Sequence, residues 1–356
     1  MKQVVIVGSG AIGLFCAVRL AKAGARVTVL EAEAEHPSLY GPIASAAAAG
    51  MLAPIADAPS PHEKLALQSF ELWKAWAPGA EWADGVRFDG AVVVGANEAA
   101  AEALTRNASG LGRKASDLSG GKFRKRTGFQ SKVDHAVFIE DEGVADPLRV
   151  LTGLAMQARA HGVIIEYLSD VAEVTPSRVI THDDRVYEAD CVLVAPGAWA
   201  TDRIIAAAPA LKLVRPAKGH IVAVELDHRL GPNIRAPGFY LAQRREEVVL
   251  GATVEFDRYD RRVEQARIAE LVAAAEALLP GEIRPTQRAW AGIRPMSPDG
   301  WPMIGRTGQG VLIAAGHSRN GWLLAPITAE IIEAYVFDAA LPPEWAALSP
   351  ERFADK

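Results

Sequence analysis

The apolar run Gln3 to Val7 (QVVIV) leads straight into Gly8-Ser9-Gly10-Ala11-Ile12-Gly13, and no other stretch of the 356 residues restricts the fold so strongly. A strand apolar at nearly every position suits burial on both faces of a parallel sheet. The glycines that follow have separate uses. Gly8 permits a tight bend, Gly10 lets a pyrophosphate approach the backbone, and Gly13 permits close packing of a helix over Ile12 to Ala23, ended by Gly24. Arg26 to Leu30 then returns as a second strand. Glu31 stands at its end, eighteen residues past Gly13, placed to accept from ribose hydroxyls and to disfavour a 2′-phosphate. Strand, glycine turn, helix, strand and acid together form a βαβ unit that binds a dinucleotide.

Half of the residues are hydrophobic, enough for a large core or two domains. The net charge of −5 argues against a body built for nucleic acid, and the basic run Lys122, Arg124, Lys125 and Arg126 reads as a solvated loop. Cys16 and Cys191 lie far apart with no CxxC or His/Cys cluster, so no metal is expected, and reduced thiols fit a cytoplasmic protein. Glycines and prolines break the two longest uncharged stretches, so no membrane span is expected.

Downstream the pattern alternates. Ala44 to Met51 is a small-residue segment that lets a bulky ligand come close, and short strands from Val86 to Val94 open a second domain with a peripheral loop over 107–132. Asp146-Pro147 caps a helix that closes at Gly162, before a strand at Val163 to Tyr167. Cys191 to Ala195 is another buried strand, followed by Pro196-Gly197 and a helix from Ala198. His220 to Leu226, Phe239 to Gln243 and Val248 to Val254 form an antiparallel set, with an amphipathic helix over Arg262 to Leu279. The last return comprises Arg288 to Ile293, Val311 to Ala315 and a helix from about Gly321 to Tyr335.

The expected fold class is therefore α/β. A Rossmann-like dinucleotide domain (1–85, 145–215 and 288–356) is interleaved with an α+β domain built on an antiparallel sheet (86–144 and 216–287). NAD and FAD share the glycine fingerprint, so the turn alone does not choose between them. The choice comes from the C-terminal Gly316-His317-Ser318-Arg319-Asn320-Gly321-Trp322-Leu323-Leu324, where a strand gives way to a helix whose N-terminal amides attract negative charge. With Ala44 to Met51 it suits enclosure of a flavin ring that stays bound through turnover.

At these residues the chain resembles the D-amino-acid oxidase superfamily, and within it the glycine oxidase branch. The likeness spans nearly the whole length. Its landmarks are GSGAIG, ASAAAAGML at 44–52, DEGVADP at 141–147, WAGIRPMSPDGWPMIG at 290–305 and AAGHSRNGWLLAPITAE at 314–330. The resemblance implies non-covalently bound FAD, with Gly8, Gly10, Ala11, Ile12 and Gly13 at the pyrophosphate and Glu31 and Ala32 at the adenosine ribose. It places Ser45, Ala49, Gly50 and Met51 beside the flavin, Val171 on the adenine side, and Gly197 in a middle glycine turn. His317, Ser318, Arg319, Asn320, Gly321, Trp322 and Leu323 would wrap the isoalloxazine.

Three residues carry the implied chemistry: Arg294 on the substrate carboxylate, Tyr240 helping to hold it, and Arg319 on the substrate side of the cofactor turn. A planar guanidinium offers two parallel donors, which lysine cannot reproduce. The implied reaction is oxidative deamination of a small amino acid (glycine, sarcosine or a D-amino acid) to a 2-oxo acid by hydride transfer to flavin N5. Oxygen or another acceptor then reoxidises the flavin. Two positions, Val254 and Ala46, depart from the glycine oxidase pattern and loosen strict glycine specificity. The alternative is a dehydrogenase of a D-proline-like or N-substituted amino acid using a non-oxygen acceptor. A homo-oligomer is compatible with either.

Overall fold

Strand β1 (Gln3–Val7) is buried from its second residue onward, as its unbroken hydrophobicity requires. The computed structural model describes residues 1–56, 62–131 and 133–354. Helix α1 (Ala11–Lys22) follows the glycine turn, and β2 (Arg26–Leu30) returns parallel to β1, with Val5 opposite Thr28. Gly8 has φ +102, which a side chain would strain, and a Cβ there would collide with the carbonyl of Ala195 on the next strand.

The six-stranded sheet runs in the order Met303–Arg306, Leu312–Ala315, Cys191–Val194, β1, β2, Ile164–Glu166. All neighbours are parallel except the edge pair Met303–Arg306 and Leu312–Ala315. The fold class is thus the expected α/β arrangement with a second, antiparallel sheet. That sheet has nine strands among the described residues, and its longest, Arg215–Glu225 and Arg284–Met296, pair antiparallel from Arg215 opposite Met296 to Glu225 opposite Arg284.

Several local expectations change. The strand expected at Arg288 to Ile293 is the middle of Arg284–Met296 and bonds in the antiparallel sheet, because its whole edge finds a partner in Arg215–Glu225. The region expected as a loop over 107–132 contains the end of a helix (Glu98–Gly110), a strand (Ala115–Asp117) and a helix (Gly121–Thr127), while Lys132 lies outside the described residues. The basic run is therefore helical, with Phe123 buried on one side and Arg126 lying over the Phe138 ring. The helix expected from Ala198 starts at Asp202, where Thr201 caps it by accepting from Ile204 N–H at 3.4 Å.

The C-terminal helix Gly321–Val336 is buried along most of its length, although it contains Pro326. Proline removes an N–H from the helix ladder and orphans a carbonyl one turn back. The helix Glu63–Trp76 repairs this. Trp73 Nε1 donates to the Trp322 carbonyl at 3.0 Å, and the Ser69 hydroxyl donates to the Leu323 carbonyl at 2.6 Å while accepting from Ile327 N–H at 3.3 Å. The polar debt of the proline is thus settled inside the core, and the start of the helix stays fixed beside the glycine turn. No helix among the described residues is long and apolar enough to cross a membrane.

Candidate active site

Two cavities meet at this junction, of about 390 Å³ and 380 Å³. The first lies over the carboxyl ends of β1 and β2. Gly8, Gly10, Ile12, Glu31, Ala32 and Ser45 line one part of it. Val171, Gly197, His317, Ser318, Gly321 and Trp322 line the rest. The structure therefore brings most of the sequence-predicted cofactor residues into one space. Ala49, Gly50 and Met51 line the second cavity instead. Ala11, Gly13, Asn320 and Leu323 support the walls without lining them: Ala11 N–H donates to Ser45 Oγ at 3.0 Å, Gly13 packs against the Gly8 carbonyl, the Asn320 carbonyl accepts from Leu324 N–H at 2.8 Å at the start of the C-terminal helix, and Leu323 offers its carbonyl to Ser69.

Glu31 is 7 % exposed and holds the glycine turn directly. Its Oε2 accepts from Ser9 N–H at 2.7 Å and Ser9 Oγ at 2.8 Å, and its Oε1 from Glu33 N–H at 3.0 Å. A carboxylate offers about four lone-pair sites, so roughly one remains for a ribose hydroxyl. The acid read from sequence as a ribose acceptor is first a brace for the turn.

The small-residue segment Ala44 to Ala48 forms the partition between the cavities, and three donors hold its carbonyls. Trp322 Nε1 donates to Ser45 O at 3.0 Å, Trp290 Nε1 to Ala47 O at 2.8 Å, and Arg244 Nη2 to Ala48 O. Arg244 is 2 % exposed and lies over the Trp290 ring. Sequence reasoning missed Arg244 and the role of Trp290, since nothing local marks a side chain that reaches a carbonyl nearly two hundred residues away.

The second cavity has one face of the antiparallel sheet as its floor. Strand register places Gly219 opposite Gly292, Ile221 opposite Gly251, and Gly251 opposite Tyr240. Arg294, two residues beyond Gly292, shares that face because side chains alternate along a strand. The glycines make room. A Cβ on Gly219 would strike the Arg294 guanidinium, one on Gly251 the Tyr240 ring, and one on Gly292 the Cβ of Ala47. Three strand glycines on one face are the signal that could have located this floor.

Arg294 Nη1 donates to the Thr253 carbonyl at 3.0 Å. Burial pulls its pKa below the ordinary arginine value; its titratable neighbours are Tyr240 and Arg319, with no carboxylate among the described residues. Burial likewise pushes the Tyr240 phenol up, so it stays a neutral donor, while Arg294, Arg244 and Arg319 pull the other way. Among the described residues the lining holds two guanidinium groups and one phenol, with no acidic side chain. Arg294, Arg319, Trp322, Ala44 and Ala48 line both cavities, so a ligand in one abuts a ligand in the other.

A long cavity on a glycine turn, joined to a cationic chamber, is the arrangement of a dinucleotide enzyme with a separate substrate pocket. The FAD dependent oxidoreductase (DAO) family matches residues 3–335. The chain belongs to this family. It is 30% identical over 357 residues to a glycine oxidase of Bacillus licheniformis, covering 96% of this chain and 94% of that one. The crystal structure of glycine oxidase from Geobacillus kaustophilus superposes with a TM-score of 0.86 at 28% identity, covering 99% of each chain. An L-proline dehydrogenase from P. horikoshii shares the fold, with a TM-score of 0.86 at 21% identity.

The cofactor of this oxidoreductase is FAD, and the first cavity fits it. The turn at Gly8 and Gly10 leaves the backbone bare where a Cβ would fill the cradle, and the start of the C-terminal helix adds amides at Gly321 and Trp322. His317 Nε2 is 3.0 Å from Thr328 Oγ1, which donates in turn to the Leu324 carbonyl, so Nε2 carries the ring proton. Burial lowers its pKa to about 3. The side chain facing the cofactor cavity is therefore neutral.

Proposed function

We propose that the enzyme oxidises the α-carbon of a small amino acid, with glycine, sarcosine and D-amino acids as the candidate substrates, and releases a 2-oxo acid after hydrolysis of the imine. The observation that carries this reading is a second cavity whose charged lining, among the described residues, is cationic only, placed against the cofactor cavity. Such a chamber favours a carboxylate and disfavours a second positive charge. Arg294 presents its guanidinium over the glycine floor, Tyr240 adds a neutral hydroxyl donor, and Arg319 stands at the junction. When bound, FAD supplies the electron-accepting ring that takes the substrate's α-hydrogen as hydride.

The protein's own part is to position and to exclude water. Arg294 and Tyr240 fix the carboxylate end, and the partition at Ala44 to Ala48 sets the distance between substrate and cofactor. Among the described residues, no side chain lining the second cavity is a carboxylate or imidazole able to take a proton from the substrate, which suits an amine that arrives already neutral. Oxygen as the final acceptor, with hydrogen peroxide as product, non-covalent FAD, and a cytoplasmic setting are part of the same proposal. The apolar walls at Ile221, Phe239 and Val254 also favour the second reading, a dehydrogenase of a cyclic or N-substituted amino acid.

The test is anaerobic bleaching of the flavin spectrum by glycine, sarcosine, D-amino acids and cyclic imino acids, followed by aerobic measurement of peroxide per oxo acid formed. A ratio near one supports the oxidase; turnover with little peroxide supports the dehydrogenase. Arg294→Ala is expected to cost about 2–5 kcal/mol in kcat/KM, because a buried substrate carboxylate loses its partner. Unchanged kcat/KM in that variant sinks the carboxylate assignment.

A further inference from the structure

His220 follows Gly219 on the strand Arg215–Glu225 and so points to the opposite face of the sheet from the Arg294 floor. It is fully buried. Its Nε2 accepts from the backbone N–H of Glu264 at 3.2 Å, which requires that nitrogen to be unprotonated and leaves the ring proton on Nδ1. Nδ1 lies 3.0 Å from Thr253 Oγ1 and 3.2 Å from Glu255 Oε1, a buried oxygen with no hydrogen-bond partner among the described residues. The same Thr253 hydroxyl oxygen accepts from His220 N–H at 3.0 Å, so backbone and ring of one residue both grip it.

The surroundings explain why the ring stays in place. Lys218, on the same face as His220 and 0 % exposed, bridges Asp260 at 2.7 Å and Glu264 at 3.0 Å. The segment that supplies Glu264 N–H is thereby tied to the strand. Thr253 itself lies between the strands Val248–Gly251 and Glu255–Phe256, and its neighbours Ala252 and Val254 line the second cavity. Its carbonyl receives Arg294 Nη1 at 3.0 Å and is the hydrogen-bond acceptor of that guanidinium among the described residues.

We propose that His220 and Thr253 are positioning residues for Arg294: the ring clamps the Thr253 hydroxyl, and the Thr253 carbonyl then holds one edge of the guanidinium so that its remaining donors face the substrate cavity. The inference rests on the proposed carboxylate-binding role of Arg294. Neither residue touches the cavity through its side chain, so each acts on substrate binding only through the guanidinium.

The test uses the FAD-loaded protein, with acetate as the probe carboxylate titrated against the flavin spectrum, and kcat and KM for the best amino acid of the substrate panel. Thr253→Val removes the hydroxyl and keeps the shape; it is expected to raise the acetate Kd and the KM about 3- to 10-fold, the effect of one lost hydrogen bond, with kcat within about twofold. Thr253→Ser restores the hydroxyl and is expected to return both to the unsubstituted values. Nitrogen-15 spectra of the unsubstituted protein are expected to show His220 neutral with Nε2 unprotonated at pH 7. Unaltered acetate Kd in both Thr253→Val and His220→Gln, in a protein where Arg294→Ala abolishes acetate binding, overturns this inference alone, and so does an Nε2–H tautomer. Unaltered acetate binding in Arg294→Ala overturns the underlying reading of the site.

Discussion

Glu31 locks the dinucleotide turn to the end of β2 by accepting from both the backbone N–H of Ser9, at 2.7 Å, and its hydroxyl, at 2.8 Å. The pair is buried, and hydrogen bonds to a charged acceptor are the stronger kind. The brace matters to the cofactor because Gly8 and Gly10 on either side of Ser9 form the cradle.

Glu31→Ala leaves two buried donors without an acceptor and removes the acid proposed to meet the ribose. The Kd for FAD is expected to rise about 10- to 100-fold, the range for losing charge-assisted bonds. Equilibrium dialysis or fluorescence recovery of free flavin measures it. An unchanged Kd means that the turn keeps its shape without the brace.

The repair of Pro326 makes a stability prediction. Trp73→Phe keeps the ring packing against Phe15 and Trp82 but strips the donor from the Trp322 carbonyl. A loss of about 1–3 kcal/mol in urea unfolding is expected, the cost of a buried orphan carbonyl. Substituting Pro326→Ala in the same background restores a helix N–H and should recover part of that loss.

Acid sensitivity follows from His317. Its folded pKa is lowered to about 3 by burial, below the ordinary 6.5 of the unfolded chain. The neutral ring therefore contributes stability in full above pH 6.5, and this is lost as the pH falls from 6.5 toward 3. A single such proton gives a slope of about 1.4 kcal/mol per pH unit. Burial lowers His220 in the same direction, with Lys218 adding to it, so both act in one window. Unfolding free energies at pH 6.5 and 5, above the carboxylate range, should show a smaller slope in His317→Gln than in the parent. Equal slopes exclude His317 as the source.

Arg244→Met keeps an unbranched side chain over Trp290 but abandons the Ala48 carbonyl and leaves Glu247 with Arg288 as its remaining partner. The partition between the cavities should loosen. A shift of the flavin absorbance bands and faster loss of FAD on gel filtration are expected, with the unfolding free energy lowered by about 1–3 kcal/mol. Identical spectra and retention argue that Trp290 and Trp322 hold the partition without it.

Local chemistry wrote the dinucleotide half plainly. The apolar run of β1, the glycines at 8, 10 and 13, and Glu31 lie within thirty-one residues, and each acts through its immediate neighbours, so propensity and spacing sufficed to read them. The end of the helix over 98–110 and the helix over 121–127 were hidden by Gly, Ser and basic residues, because what stabilises them is the burial of Ala108 and Phe123. The pairing of Arg284–Met296 with Arg215–Glu225 was equally invisible, since a strand does not name its partner. That pairing decided the second cavity: it put Arg294 beside Gly219, brought Tyr240 onto the same face through Gly251, and set Thr253 under the guanidinium. The chain by itself determined which cofactor turn it makes, through short-range steric and hydrogen-bonding rules. Only the tertiary structure decided which arginine is buried with no carboxylate beside it among the described residues, because burial and register arise from contacts between segments far apart in sequence.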